Sequence, residues 1–234
     1  MWRRLFTKPE ILALTVQSER IDCCKLLLRG GGKSVELANH RTLSLPVGSI
    51  GTASIYNPTL VAKTIRELVG GARRPARLFV ALSGSAVKQK IAAYTHTHPD
   101  LQPDPSTHGR DWVWEYSYLY PDNSGNFVFY GCGMPHAMRL QWFLIAQMAG
   151  VELAVLAGDK MPLFAIYQAI YSGAFRQSQL AVHMARTDNT IERLFTPDTL
   201  SRFMFVPSSV EVDRAQVLRP LLVASGLALL GRQE

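Results

Sequence analysis

Cysteine is scarce in this chain of 234 residues, with thiols at Cys23, Cys24 and Cys132 alone. An odd count without a C-x-x-C spacing excludes a disulfide framework and a thiolate metal site, and it fits a reducing compartment. Long apolar runs are also missing, the longest falling well short of the ~20 residues a spanning helix needs. The basic start, Met1 to Glu10, has no apolar segment behind it of the signal-peptide kind. The expectation is a soluble, cytoplasmic protein. Charged residues make up 18% and hydrophobic ones 47%, without low-complexity tracts, which excludes a disordered polymer. What the chain does have is an excess of positive charge, formally +7 with a pI near 9.5. That favours an acidic partner or an anionic membrane surface. The positive residues are scattered, however, with Arg73, Arg74 and Arg77 the one tight group, and a solvated turn accounts for those.

The run Gly30 to Ser34, GGGKS, imitates the end of a phosphate-binding loop. That motif requires a glycine five positions before Gly32, where Leu27 stands, and a helix afterwards to aim free N–H groups at the anion. Instead, strand-like residues flank it on both sides, Ile21 to Leu28 and then the alternation from Ser34. A glycine-rich link between two such runs reads as a hairpin turn.

Hydrophobic patterning predicts strands at Ile11 to Val16, Ile21 to Leu28 and Ser34 to Leu45, forming an antiparallel meander. Asn57 is an N-cap followed by Pro58, opening a helix with Leu60, Val61, Thr64, Ile65 and Leu68 on one face and Gly70–Gly71 at its end. Arg77 to Leu82 reads as a buried strand. Thr95 to Arg110 has loop composition, and Trp112, Trp114, Tyr116, Tyr118 and Tyr120 fall on one face of a strand. A strand at Asn126 to Tyr130, a helix at Met134 to Ala149, a strand at Val151 to Ala157 and a helix at Met161 to Tyr171 follow. Gln179 to Ala185, Thr190 to Phe195 and Arg202 to Val206 read as a second antiparallel meander, and Leu218 to Leu230 as a closing helix.

A strand meander followed by a helix thus occurs near each end, a pattern similar to the actin-like ATPase fold. The stretch NPTLVAKTIRELVGGARRPARLFVALSGSAV, Asn57 to Val87, resembles the PilM family of type IV pilus assembly proteins in its order of helix, basic turn, apolar strand and Ser-Gly-Ser turn. GCGMPHAMRLQWFLIAQMAGVELAVL, the helix from Met161 and the closing VASGLALL fit the same family. The resemblance implies a mixed α/β, actin-like (ribonuclease H-like) fold in a shortened form. Its parts would be a first subdomain over 1–82, an inserted subdomain over 83–159 and a truncated second domain over 160–234.

Departures from the family pattern bear on function. Where the family's first phosphate turn carries an Asp and a Gly, LALTVQSERI has Thr15 and Gln17, with Glu19 and Arg20 in place of small residues. The second turn, AVHMARTD, has His183 and Ala185 in the corresponding places, and the glycine-rich adenine-side segment has no counterpart. The Mg²⁺ carboxylate is lost, Glu19 repels phosphate, and the close backbone approach that Gly allows is gone. The expectation is a degenerate nucleotide site, no cofactor and no catalysis. The alternative is an active actin-like ATPase with an atypical site.

Other constellations read as ordinary structure. His96, His98 and His108 with Asp100 or Asp104 lack the helix or hairpin that fixes a metal site, so no metal is expected. The aromatic row reads as a packed sheet face before it reads as a base-stacking platform, and no nucleic acid is expected. GCGMPH has His136 where a dinucleotide fingerprint needs glycine, and Asp188 near His183 is no triad. The resemblance implies a cytoplasmic adaptor of a type IV pilus or related type II secretion machine, peripheral to the inner membrane. A homodimer is allowed for. Its partner would be the N-terminal tail of a PilN-like inner-membrane protein, held as an extended strand between the first and inserted subdomains. The residues expected to line that groove are Ser83, Gly84, Ser85, Val87, Ile91 and Phe129.

Overall fold

The computed structural model describes residues 10–29, 34–70, 77–95, 111–122, 124–170, 197–208, 210 and 214–231. The chain opens with β1 (Glu10–Val16), β2 (Arg20–Arg29) and β3 (Ser34–Ser44), paired antiparallel in that order. The apolar residues of β1 are buried throughout, because the strand lies in the interior of its sheet and is covered on both faces. Glycines 30–32 and Lys33 lie outside the described residues, but Arg29 pairs with Ser34, so the strands on either side are hairpin partners.

Helix α1 (Pro58–Val69) starts as its sequence dictates, with the Asn57 side chain accepting from the Leu60 N–H at 3.1 Å and Pro58 in the first turn. Gly70 ends it in the left-handed conformation. Strand β4 (Arg77–Leu82) then enters parallel to β1. Past a single 3₁₀ turn at Gly84–Ala86, the chain leaves this sheet to build another from β5 (Lys88–Tyr94), β6 (Trp112–Pro121) and β7 (Phe127–Pro135), with β7 in the middle. It returns through α2 (His136–Ala149) and β8 (Glu152–Gly158), which pairs parallel to β4. The interval 83–159, read from the sequence as one insert, therefore divides. Strands β5, β6 and β7 make the second sheet, whereas α2 packs beside α1 and β8 extends the first sheet. The first sheet has the order β8-β4-β1-β2-β3-β9.

Helix α3 (Lys160–Ile170), α4 (Pro197–Phe203), the two-residue strand β9 (Met204–Phe205) and α5 (Arg214–Leu230) complete the described chain. Here the sequence pattern misleads. Arg202 to Val206 is not a strand of an antiparallel meander, since it straddles the end of α4 and the short β9, which pairs parallel to β3. An Asp in the first turn of α4 and an Arg in its last suit the helix dipole, which favours helix over strand in so short a segment. The expected strands at 179–185 and 190–195 lie outside the described residues. Helix α5 crosses β1, β2 and β4 and packs along α3. Among the described residues, no helix is long and apolar enough to cross a membrane.

The α3–α5 crossing is close enough that a methyl group on Gly226 would land on the backbone of Pro162. In an exposed helix, Gly→Ala gains about 1 kcal/mol. Here the sign reverses: Gly226→Ala should lower stability by about 2–3 kcal/mol, read as a reduced midpoint in urea unfolding.

Candidate partner-binding cleft

Each strand of the second sheet sends alternate side chains to opposite faces, and the register assigns them. Lys88, Lys90, Tyr94, Phe127, Phe129, Trp114, Tyr116 and Tyr118 share the outer face, away from the core cluster. Trp114 stacks on Tyr116 at 6.1 Å, Lys90 Nζ stands 4.8 Å from the Trp114 ring centre, and Gly131 and Gly133 leave room beneath the rings. Trp114 and Phe129 are packed, only 8% and 6% exposed, whereas Tyr118 on the same face is 49% exposed. The alternation breaks at a bulge between Tyr118 and Tyr120, which turns Tyr120 onto the inner face opposite Val128.

The inner face carries Ile91, Val128, Tyr130, Cys132 and Met134, and it packs toward the first sheet. The two layers are joined at the end of β8. Asp159, 3% exposed, accepts from Gln89 Nε2 of β5 at 3.0 Å and from Arg219 of α5 at 2.8 Å. The Gln89 carbonyl in turn accepts from the Tyr130 hydroxyl and from the Lys160 N–H. Gly158 lies directly under Gln89 and Tyr130, where any side chain would collide with both.

From this junction outward the layers part, leaving a cleft of about 230 Å³. One wall is Val113 and Glu115 of β6 with Cys132 and Met134 of β7, and the other is Arg139 and Phe143 of α2 with Leu153, Ala154 and Leu156 of β8. A bulge in β8, where Leu78 pairs with Leu153 and Phe79 with Val155, explains why three nearly consecutive β8 residues reach the cleft. Among the described strands, β8 is the edge of its sheet. Burial pushes the Cys132 thiol up to about 12, so this wall presents a neutral, apolar sulfur. The lining is thus mostly apolar, with Arg139 and Glu115 paired at 2.9 Å across the exposed end.

A second cleft of about 290 Å³ lies at the carboxyl ends of β1 and β4, lined by Gln17, Ser18, Ser83, Gly84 and Met138 among others. The residues expected to form one groove are thereby distributed. Ser83 and Gly84 line this second cleft, and Val87 is buried in the core. Ile91 is on the inner face of the second sheet, while Phe129 points away from both clefts, on the outer face. Ser85 is in the 3₁₀ turn. Sequence reasoning passed over the first cleft's own residues, such as Leu156 and Phe143. Phe143 is 49% exposed on a helix whose opposite side is buried, and that misplaced aromatic was the available signal.

Near the turn after β1, Thr15 is buried opposite Asp22 of β2. Asp22 accepts from the Thr42 hydroxyl at 2.6 Å and from the Arg20 guanidinium at 2.7 Å, so the carboxylate nearest to Thr15 is already engaged inside the sheet. Gln17 donates its N–H to the Arg20 carbonyl in the turn. His183 and Ala185 lie outside the described residues, as do the histidines and aspartates of 96–108. Among the described residues no cluster of metal-ligating groups occurs.

His40 sits beside this carboxylate, its Nε2 3.8 Å from Asp22 and its side chain 10% exposed. Burial lowers its pKa from the ordinary 6.5, and the Asp22 charge only partly offsets that. As pH falls through the ordinary value, the unfolded chain takes up the proton before the folded one, so stability should drop from pH 7 toward pH 5. In His40→Gln that part of the slope should flatten, measurable by denaturant titration at each pH.

No protein-family profile and no curated protein matches the sequence. Solved structures do match. A chain of the PilM-PilN type IV pilus biogenesis complex aligns over 96% of this chain and 99% of its own, with a TM-score of 0.59 at 12% identity. The cytoplasmic domain of EpsL, an inner membrane component of the type II secretion system of Vibrio cholerae, aligns over 65% and 57%, with a TM-score of 0.42 at 13% identity. A Bacteroides thetaiotaomicron protein with an actin-like ATPase fold aligns over 73% and 60%, with a TM-score of 0.40 at 8% identity. The near-complete overlap with the first shows that the chain has a PilM-like, actin-like fold of mixed α/β class.

Proposed function

We propose that the protein is a non-catalytic adaptor on the cytoplasmic side of a type IV pilus or type II secretion platform, where it holds the tail of a PilN-like inner-membrane protein. The observation that carries this reading is the cleft between β8, α2 and the second sheet. It lies between the layers where the family resemblance puts an extended tail, and its walls combine apolar side chains with the Arg139–Glu115 pair. A volume of about 230 Å³ is below the roughly 300–1,000 Å³ of small-molecule sites, and suits a few side chains of a continuous peptide. The excess of positive charge suits work beside an anionic leaflet. Loss of the phosphate-turn residues at Thr15 and Gln17, with Asp22 held by Arg20, supports a role without ATP turnover.

The reading is tested with the synthetic cytoplasmic tail of the PilN-like protein from the same organism. Calorimetry should give binding that Phe143→Glu weakens by about 30-fold or more, as for a hot-spot residue. Because Phe143 is half exposed, the variant should keep the wild-type melting temperature. Mg-ATP should give no heat, whereas a low-micromolar dissociation constant, equivalent to about −8 kcal/mol, would favour an active ATPase. Undiminished tail binding by Phe143→Glu would overturn this placement of the site.

A further inference from the structure

Two ion pairs flank the junction of the layers, and their settings differ: Arg219–Asp159 links α5 to the end of β8, whereas Arg139–Glu115 links α2 to the second sheet. Arg219–Asp159 is at the inner end, with the Asp159 side chain 4% exposed and tied to Gln89 as well. Arg139–Glu115 is at the outer end, with the two side chains 35% and 62% exposed. The inner pair is fixed by burial. The outer one is solvated, and such a pair exchanges readily with water. Glu115 projects from β6 on one wall and Arg139 from the first turn of α2 on the other, and their 2.9 Å contact closes a loop of protein around the cleft.

We propose that Arg139–Glu115 is a clasp, which opens to admit a peptide segment and closes across it, so that the pair sets how long the partner stays. This deepens the tail-binding reading above and rests on it. A chain laid along β8 passes between the fixed inner pair and the clasp. Leaving requires the outer pair to break while the apolar side chains are still seated on Leu156 and Met134. In the empty cleft the pair is solvated and worth little, whereas a seated peptide shields it from water and strengthens it, so the closed state is favoured mainly once the peptide is bound. The clasp therefore acts on dissociation and leaves association nearly unchanged.

The probe is a synthetic peptide of the tightest clone selected on the wild-type protein from a displayed library of random short peptides, followed by surface plasmon resonance. Glu115→Gln and Arg139→Gln should each speed dissociation by about two- to five-fold, the range of exposed ion pairs, with association unchanged. The double variant should be no faster than either single one, and the exchanged pair Glu115→Arg with Arg139→Glu should restore slow release. Raising salt should speed release from the wild type and not from Glu115→Gln. Dissociation unchanged in both single variants, or faster association with tighter binding, would overturn the clasp, the latter by marking the pair as a plug. A library that yields no peptide, or peptides indifferent to Phe143→Glu, would overturn the cleft reading and the clasp with it. Peptides lost in Phe143→Glu but released normally by the clasp variants would overturn the clasp alone. Melting temperatures of the Gln variants verify folding, and the exchanged pair keeps the test valid should one of them unfold.

Discussion

A buried carboxylate at the end of β8 holds the two layers of this molecule in one arrangement. Asp159 is too deeply placed for water to satisfy it, so its lone pairs must be met by protein donors. Gln89 meets it from the second sheet and Arg219 from α5, and the same Gln89 collects hydrogen bonds from Tyr130 and from the start of α3. Four elements from distant parts of the sequence thus converge on two side chains. Removing either would strand a charge or an amide in the interior, which is costlier than never having formed the contact. The cleft exists because this knot fixes the layers at one end and leaves them apart at the other.

Local rules made much of the fold legible in the sequence. The three-stranded opening, the Asn57–Pro58 helix start and the Gly70 stop depend on short-range pattern and capping, whereas the second sheet outside the first was expected from the family resemblance. What was not legible depended on pairing at a distance. Nothing in Val151 to Ala157 says that it lies beside β4, so the far boundary of the insert was read too late in the chain. Nor does a run of alternating aromatics disclose a bulge, and Tyr120 was accordingly placed on the wrong face. Met204–Phe205 is too short for any periodicity to mark it as a strand.

The candidate site was read less completely than the fold. The pair of layers that would hold a partner followed from the family resemblance, but its side chains did not. Val87 and Phe129 are apolar and near the crossing in sequence, yet one is inside the core and the other on the far side of a sheet. A strand of period two sends neighbours to opposite faces, so residue identity alone cannot choose between cleft and exterior. The turn after β1 is different, because the expectation of a lost phosphate site there depended only on the identity of Thr15 and Gln17 set against the family pattern. The structure adds that Asp22, the one acid facing Thr15 across the strands, is bound by Arg20 and Thr42.

The bulge in β8 also affects how the protein behaves in a crowded compartment. A straight strand at the rim of a sheet presents an even row of backbone donors and acceptors, to which the rim of another molecule can add without limit. Doubling Leu153 and Ala154 against Leu78 throws that row out of step. The same irregularity that turns side chains into the cleft makes β8 a poor template for polymerisation. Among the described strands β8 is the edge of its sheet, and an irregular edge beside the cleft disfavours the addition of further strands.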